Sequence, residues 1–219
     1  MRIMLVLDHA YTLAGAVNTP HQRGFTPAVT AAAIRGVEAS GGVVDLVDLS
    51  KDDFNPAMGR KDLLAWRGYG EPDSQVRDYQ TRLLAADHLV FAFPIYWEAM
   101  PAATKGFIDK VIAQNVLYRE VANARGNPFR SLMPQLQGVT ALTVMSTPHA
   151  AYRWWFGNPV TKILFKGTFG KIGIKNLTWR NYPSIESRSP DQREKMLTET
   201  KRHFALLSNT SPVNASNRG

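Results

Sequence analysis

The chain of 219 residues has no cysteine, which excludes disulfides, a thiolate nucleophile and a cysteine-ligated metal. No apolar run is long enough to span a membrane. The first ten residues hold only the short apolar stretch Ile3–Leu7 before Asp8. That reads as a first strand rather than a signal peptide, so a cytoplasmic protein is expected. The five histidines lack the spacing of metal ligands, and no metal is expected. No Gly-x-Gly-x-x-Gly follows the first apolar run, which argues against a dinucleotide fold of the Rossmann type. Nor is there a dense run of lysine and arginine, although the formal net charge is +8. The nearest approach is Lys162, Lys166, Lys171 and Lys175 at helical spacing. These read as a solvated basic face, and a nucleic-acid partner is not expected. The aromatic run Tyr152-Arg153-Trp154-Trp155-Phe156 could dock on a membrane interface, but a substrate pocket or subunit contact suits it better.

What is present alternates. With 44% hydrophobic residues the chain can bury one substantial core. Strands are expected at 2–7, 43–49, 88–93, 139–145 and 177–182. Helices are expected at 26–40, 74–86, 102–114 and 189–207, with a glycine-interrupted helical stretch near 158–171. Ser74 and Ser189 are read as helix caps, with Pro190 at a first helical position. A single domain is expected over residues 1–207, and the small polar residues of 208–219 read as a disordered tail. Five strands with intervening helices imply a parallel sheet joined by right-handed crossovers. Periodicity leaves the strand order open between the flavodoxin-like and Rossmann arrangements.

The segment Phe91–Val111, FAFPIYWEAMPAATKGFIDKV, carries the most information. A buried strand stops at Pro94 and a helix begins at Pro101. The loop between them lies at the carboxyl edge of the sheet, where open α/β folds bind ligands. Two aromatics and successive backbone N–H groups suit a flat, hydrogen-bonding ring.

This segment resembles the flavin-binding segment of the NAD(P)H:quinone oxidoreductases of the DT-diaphorase type. Further ordered likenesses follow: Asp45–Pro56 through the second strand and its following loop, Arg60-Lys61-Asp62-Leu63, the Gln80 to Asp87 approach to the third strand, Gly126–Arg130, and Ser184-Ile185 with Ser189, Pro190 and Arg193. The resemblance implies an α/β, flavodoxin-like, doubly wound five-stranded parallel sheet of order 2-1-3-4-5 with helices on both faces.

The resemblance also implies a site. His9 and the helix opening at Gly24-Phe25-Thr26 would hold the flavin phosphate, with Gly24 standing where the family has a serine. Tyr11, Thr12, His21 and Arg23, in a longer connection than the family's, could replace that contact. Pro94, Ile95, Tyr96, Trp97 and Glu98 would meet the flavin ring. Ser146, Thr147 and Pro148 stand where the family has Thr-Thr-Gly, so one backbone donor is lost at Pro148. Tyr152 matches a catalytic tyrosine that faces substrate and stabilises charge on reduced flavin. Asn158 replaces a histidine of the family's proton relay, and His149 is the candidate substitute. Tyr118, Trp154 and Asn158 would line the substrate pocket, Tyr118 from a neighbouring subunit. Ile185 and Arg193 match positions near an FAD diphosphate, which tilts the choice between FAD and FMN towards FAD. The implied activity is transfer of two electrons from NAD(P)H, as hydride through flavin N5 in a ping-pong cycle, to a quinone or similar flat acceptor. The implied assembly is a homodimer. The alternative reading is a flavin-binding ancillary subunit of a membrane transporter.

Overall fold

The computed structural model describes residues 1–11, 13 and 24–209. Its centre is a five-stranded parallel sheet in the order β2-β1-β3-β6-β7. The strands are β1 (Arg2–Leu7), β2 (Val43–Asp48), β3 (His88–Pro94), β6 (Gly138–Val144) and β7 (Asn176–Tyr182). Counting sheet strands alone, this is the expected order 2-1-3-4-5. β1 and β3 are buried along almost their whole length because helices cover both faces, so they read as continuous apolar runs.

The pleat splits each strand between two cores. Ile3, Leu5 and Leu7 of β1, with Val90 and Ala92 of β3, pack under α1 (Phe25–Ala39) and α5 (Pro190–Asn209). Met4 and Val6, with Phe91 and Phe93, face the opposite core, built from α3 (Ser74–Leu84), α4 (Ala102–Val111) and Phe169. On that side Phe107 of α4 meets Phe91 edge-on, with ring centroids 5.8 Å apart, and Phe54 and Tyr79 extend the aromatic cluster. Gly106 lets α4 approach the segment after β2, since a Cβ there would collide with Pro56.

Several local expectations are corrected. The cap of α3 is Asp73, whose carboxylate accepts the Gln75 N–H at 2.9 Å, rather than Ser74. The closing helix includes Ser208 and Asn209, which the sequence places in the tail; residues 210–219 lie outside those described. The sequence pattern did not show α2 (Arg60–Trp66) or the antiparallel ribbon of β4 (Tyr118–Glu120) and β5 (Phe129–Ser131). The glycine-interrupted stretch is a wide π-helix over Thr161–Gly170, preceded by another at Ala151–Trp155. The i to i−5 bonding of these turns is visible where the Phe156 N–H donates to the Ala151 carbonyl at 3.2 Å, and on the longer helix Gly167 leaves room for the Lys162 carbonyl five residues back.

Candidate active site

Because the sheet is parallel, β1, β3, β6 and β7 deliver their following loops to one edge. β1 delivers Asp8 and His9. The Asp8 N–H continues the ladder to the Ala92 carbonyl, and its carboxylate accepts both the N–H and the hydroxyl of Thr104, at 2.6 and 2.7 Å. Asp8 thus caps the first turn of α4 from a neighbouring strand, with its charge at the positive end of the helix dipole. Sequence reasoning passed over this residue. Its only signal was an acid adjoining a candidate ligand at a strand end.

Next to it, His9 accepts the Tyr11 N–H at Nδ1, at 3.0 Å. Burial lowers its pKa, outweighing the Tyr11 contact and the nearby Asp8 and Asp48. A neutral ring with Nδ1 accepting carries its proton on Nε2. That edge faces Gly24: a Cβ built there would lie 2.9 Å from both Cε1 and Nε2 of His9. Gly24 has φ 85°, and no side chain caps the helix it opens. The N-terminus of α1 therefore presents its own N–H groups beside an imidazole N–H, a setting for an anion. Pro27 contributes no donor there. Phe25 and Thr26 are buried, and Phe25 packs edge-on against Tyr182. Thr12, His21 and Arg23 lie outside the described residues.

The loop after β3 closes as a tight reverse turn. Tyr96 and Ala99 exchange N–H to carbonyl bonds in both directions at 3.0 Å. The two central residues, Trp97 and Glu98, have φ of 49° and 61°. Two positive φ values make a type I′ turn, a geometry that favours Asn-Gly and not Trp-Glu. The Ile95 N–H is taken by the Val144 carbonyl at 2.8 Å, and the Tyr96 N–H by the turn. Pro94, Ile95 and Tyr96 thus have no free N–H in this structure, the first because it is a proline. Within the turn, the N–H groups of Trp97 and Glu98 make no hydrogen bond among the described residues and are left for a ligand. The Trp97 side chain is 100% exposed at the tip.

The loop after β6 holds this turn from behind. The Thr147 hydroxyl donates to Glu98 Oε1 at 2.7 Å, while Glu98 Oε2 is buried without a partner among the described residues. The Ser146 hydroxyl donates to Glu186 at 2.8 Å. Pro148 offers its carbonyl to the Tyr152 N–H. Tyr152 itself is fully buried. Its hydroxyl donates to the Glu98 carbonyl at 3.1 Å and accepts the Val160 N–H at 3.2 Å. Burial pushes its pKa up to about 12, with Glu98 adding to the rise and the Val160 contact opposing it. In this structure the one proton of Tyr152 is spent on the Glu98 carbonyl and fixes the turn.

The remaining candidates separate. His149 lies exposed at the rim, stacked at a tilt on Trp179 with centroids 5.3 Å apart, its Nδ1 3.2 Å from Asn181 Nδ2. Trp154 is exposed beneath the Arg153 guanidinium. Asn158 sits at φ 54°, its N–H donates to the Tyr152 carbonyl, and its side chain accepts the Thr161 N–H at the start of the wide helix. Asparagine tolerates that left-handed conformation. Arg193 Nη2 donates to the carbonyls of Ile185 and Glu186, tying α5 to the corner after β7. Tyr118 lies in a separate apolar groove of about 300 Å³ with Leu63, Trp66, Ile112 and Phe129.

A family model for the flavodoxin-like fold, Flavodoxin_2, matches residues 16–205. The rat NAD(P)H dehydrogenase (quinone) 1 is 28% identical over 237 residues, covering 97% of this chain and 79% of its own. The solved NAD(P)H:quinone oxidoreductase of Methanothermobacter marburgensis superposes with a TM-score of 0.77 at 18% identity, over 94% of this chain and 98% of its own. An FMN-dependent NADH-azoreductase of Bacillus anthracis, solved in complex with FMN, gives 0.72 at 13% identity, over 95% and 100%. With its strand order, its turn after β3 and this match over most of its length, the chain belongs to the Flavodoxin_2 family, in which NAD(P)H:quinone oxidoreductases are its relatives.

Proposed function

We propose that this protein is a flavin-dependent NAD(P)H oxidoreductase that passes two electrons to a quinone or another flat acceptor. The observation that carries this reading is the Trp97-Glu98 turn. Two non-glycine residues are held at positive φ, a fully exposed tryptophan stands at the tip, and the two N–H groups between Tyr96 and Ala99 make no hydrogen bond among the described residues. Backbone strain of this kind, roughly 1 kcal/mol or more per residue, persists where the surroundings impose it and clusters at ligand sites.

The residues present fit a flavin. His9 and the uncapped start of α1 would hold its phosphate, and a Cβ at Gly24 would fill the space the imidazole needs. The N–H groups of Trp97 and Glu98 would hold the polar edge of its ring. Bound there, the flavin supplies reversible two-electron chemistry between a nicotinamide and an acceptor. The protein's part is geometric. Tyr152 and Thr147 keep the turn in one conformation, Asp8 keeps the start of α4 in register with β1, and His149 at the rim is placed to move a proton to or from an acceptor. One exposed ring face serving donor and acceptor in turn gives ping-pong kinetics. These groups serve the half common to FMN and FAD. The case for FAD rests on Ile185 and Arg193, which bond to each other.

A homodimer is part of the proposal. The groove at Tyr118, rimmed by the exposed Met58 and Leu63, suits a second copy, which would carry Tyr118 towards the neighbouring site.

The test is an absorbance spectrum of the purified protein, followed by anaerobic NADPH and then menadione. Bands near ~370 and ~450 nm, bleached by NADPH and restored by quinone, are expected of a bound flavin. Chromatography of the released cofactor identifies it. A colourless protein that takes up neither flavin would sink the proposal.

A further inference from the structure

All of the excess charge comes from one part of the chain. Between Glu120 and Glu186 there are eight lysines and arginines and not one aspartate or glutamate, and elsewhere 18 basic residues balance 18 acidic ones. The same stretch holds the most exposed aromatic cluster: Trp154 is 78% exposed, Trp155 is 85% exposed and Phe156 stands beside them. The cations lie among these rings. The Arg153 guanidinium sits 5.2 Å from the centre of the Trp154 ring. The Lys162 ammonium folds back over Gly157, 2.7 Å from where a Cβ would stand. On the wide helix Leu164, Phe165 and Phe169 point into the core, which leaves Lys162, Ile163 and Lys166 on the outer face.

We propose that Arg153–Phe156 and the outer face of Thr161–Gly170 form a docking surface for an anionic phospholipid bilayer. Tryptophan favours the headgroup level, where its ring is half apolar and its N–H is hydrated. Lysine and arginine flanking it are drawn to the negative surface of anionic lipid. A second copy fits this face poorly, because two-fold pairing brings one cationic patch against another that holds no acidic residue to answer it. The apolar groove at Tyr118 is the face suited to that contact. Duplex nucleic acid would meet the charge, but its stacked bases leave two adjacent, solvent-facing tryptophans without a role. Among the described residues no helix is long and apolar enough to cross a membrane, and a peripheral contact requires none. Docking would set the Trp97 edge near a phase in which apolar quinones dissolve. The binding itself is independent of any flavin, so it stands or falls separately from the proposed activity.

The test is co-sedimentation of the full chain with large vesicles of phosphatidylcholine alone, or with about a third phosphatidylglycerol, in 0.1 M salt. Binding to the anionic vesicles and not the neutral ones is expected. Each cation near such a surface is worth roughly a fivefold change in partitioning, so Lys162→Gln with Lys166→Gln weakens binding about 25-fold. Trp155→Ala weakens it about tenfold through loss of the interfacial ring, and both variants keep the far-UV circular dichroism of the parent. Lys195→Gln with Lys201→Gln, on α5, removes equal charge away from the patch and leaves binding nearly unchanged. Three results overturn the proposal: no binding to anionic vesicles, equal loss in the α5 variant, or duplex DNA binding that is tighter than vesicle binding and lost in the same patch variants.

Discussion

The imidazole of His9 occupies the space that a side chain at Gly24 would need, 2.9 Å from the position of its Cβ. The two residues come from different elements, one from the end of β1 and the other from the start of α1, and each fixes the other. Gly24→Ala meets both the ring and a φ of 85°. The positive φ alone costs about 1 kcal/mol, and a fall in Tm of roughly 2–4 °C is expected. Flavin affinity falls further, because the displaced His9 leaves the helix start. Titration of FMN against riboflavin checks this: FMN loses affinity and riboflavin, which has no phosphate, does not.

Tyr152→Phe removes the hydroxyl that joins the Glu98 carbonyl to the Val160 N–H. Leaving those groups unpaired costs about 1–3 kcal/mol. Weaker flavin retention is expected, with no change in the pH profile of turnover near neutrality, since burial pushes the Tyr152 pKa up to about 12. Loss of a titrating limb in that profile would return Tyr152 to a proton-transfer role.

Glu98 places a carboxylate beside the proposed ring, with one oxygen held by Thr147 and the other buried. Negative charge there opposes the charge gained on reduction. Glu98→Gln keeps the shape and removes the charge. The ratio of affinities for reduced and oxidised flavin should rise about tenfold, a midpoint shift of about 30 mV for two electrons. Spectroelectrochemistry reads it, and an unchanged potential would leave Glu98 as a spacer.

His88 is buried and pairs with the Thr140 hydroxyl. Burial, with a smaller contribution from His203, drops its pKa to about 4. The folded state therefore resists a proton that the unfolded chain accepts near pH ~6.5. Its contribution to stability is fully present above that value and is lost as pH falls from there towards about 4. The loss is about 3 kcal/mol, or roughly 6–12 °C in Tm. Thermal denaturation across that window checks it, and His88→Gln should flatten the slope.

Strands β1, β3 and β6 were legible because burial on both faces leaves apolar runs between polar punctuation, and the partly buried edge strands β2 and β7 from their place in the strand–helix alternation. His9 and the Pro94–Glu98 loop were legible because they follow those runs. The roles were less so. Nothing local distinguishes a tyrosine facing a ligand from one turned inward, and Tyr152 is turned inward by the Val160 N–H, eight residues away. Asn158 looked like a replaced relay residue, but its left-handed φ, set by the turn between two wide helices, makes it a cap. Asp8 acts on Thr104 across two strands, a distance that no periodicity reports.

The Trp97-Glu98 turn has a consequence for evolution in the test tube. Asn-Gly would make the same reversal with no steric penalty, so Trp97→Asn with Glu98→Gly should raise Tm by several degrees. The same pair should also release the flavin. Selection for heat resistance alone would then drift towards a sturdier, colourless protein, while selection for turnover would preserve a turn that the apoprotein would relax if it could.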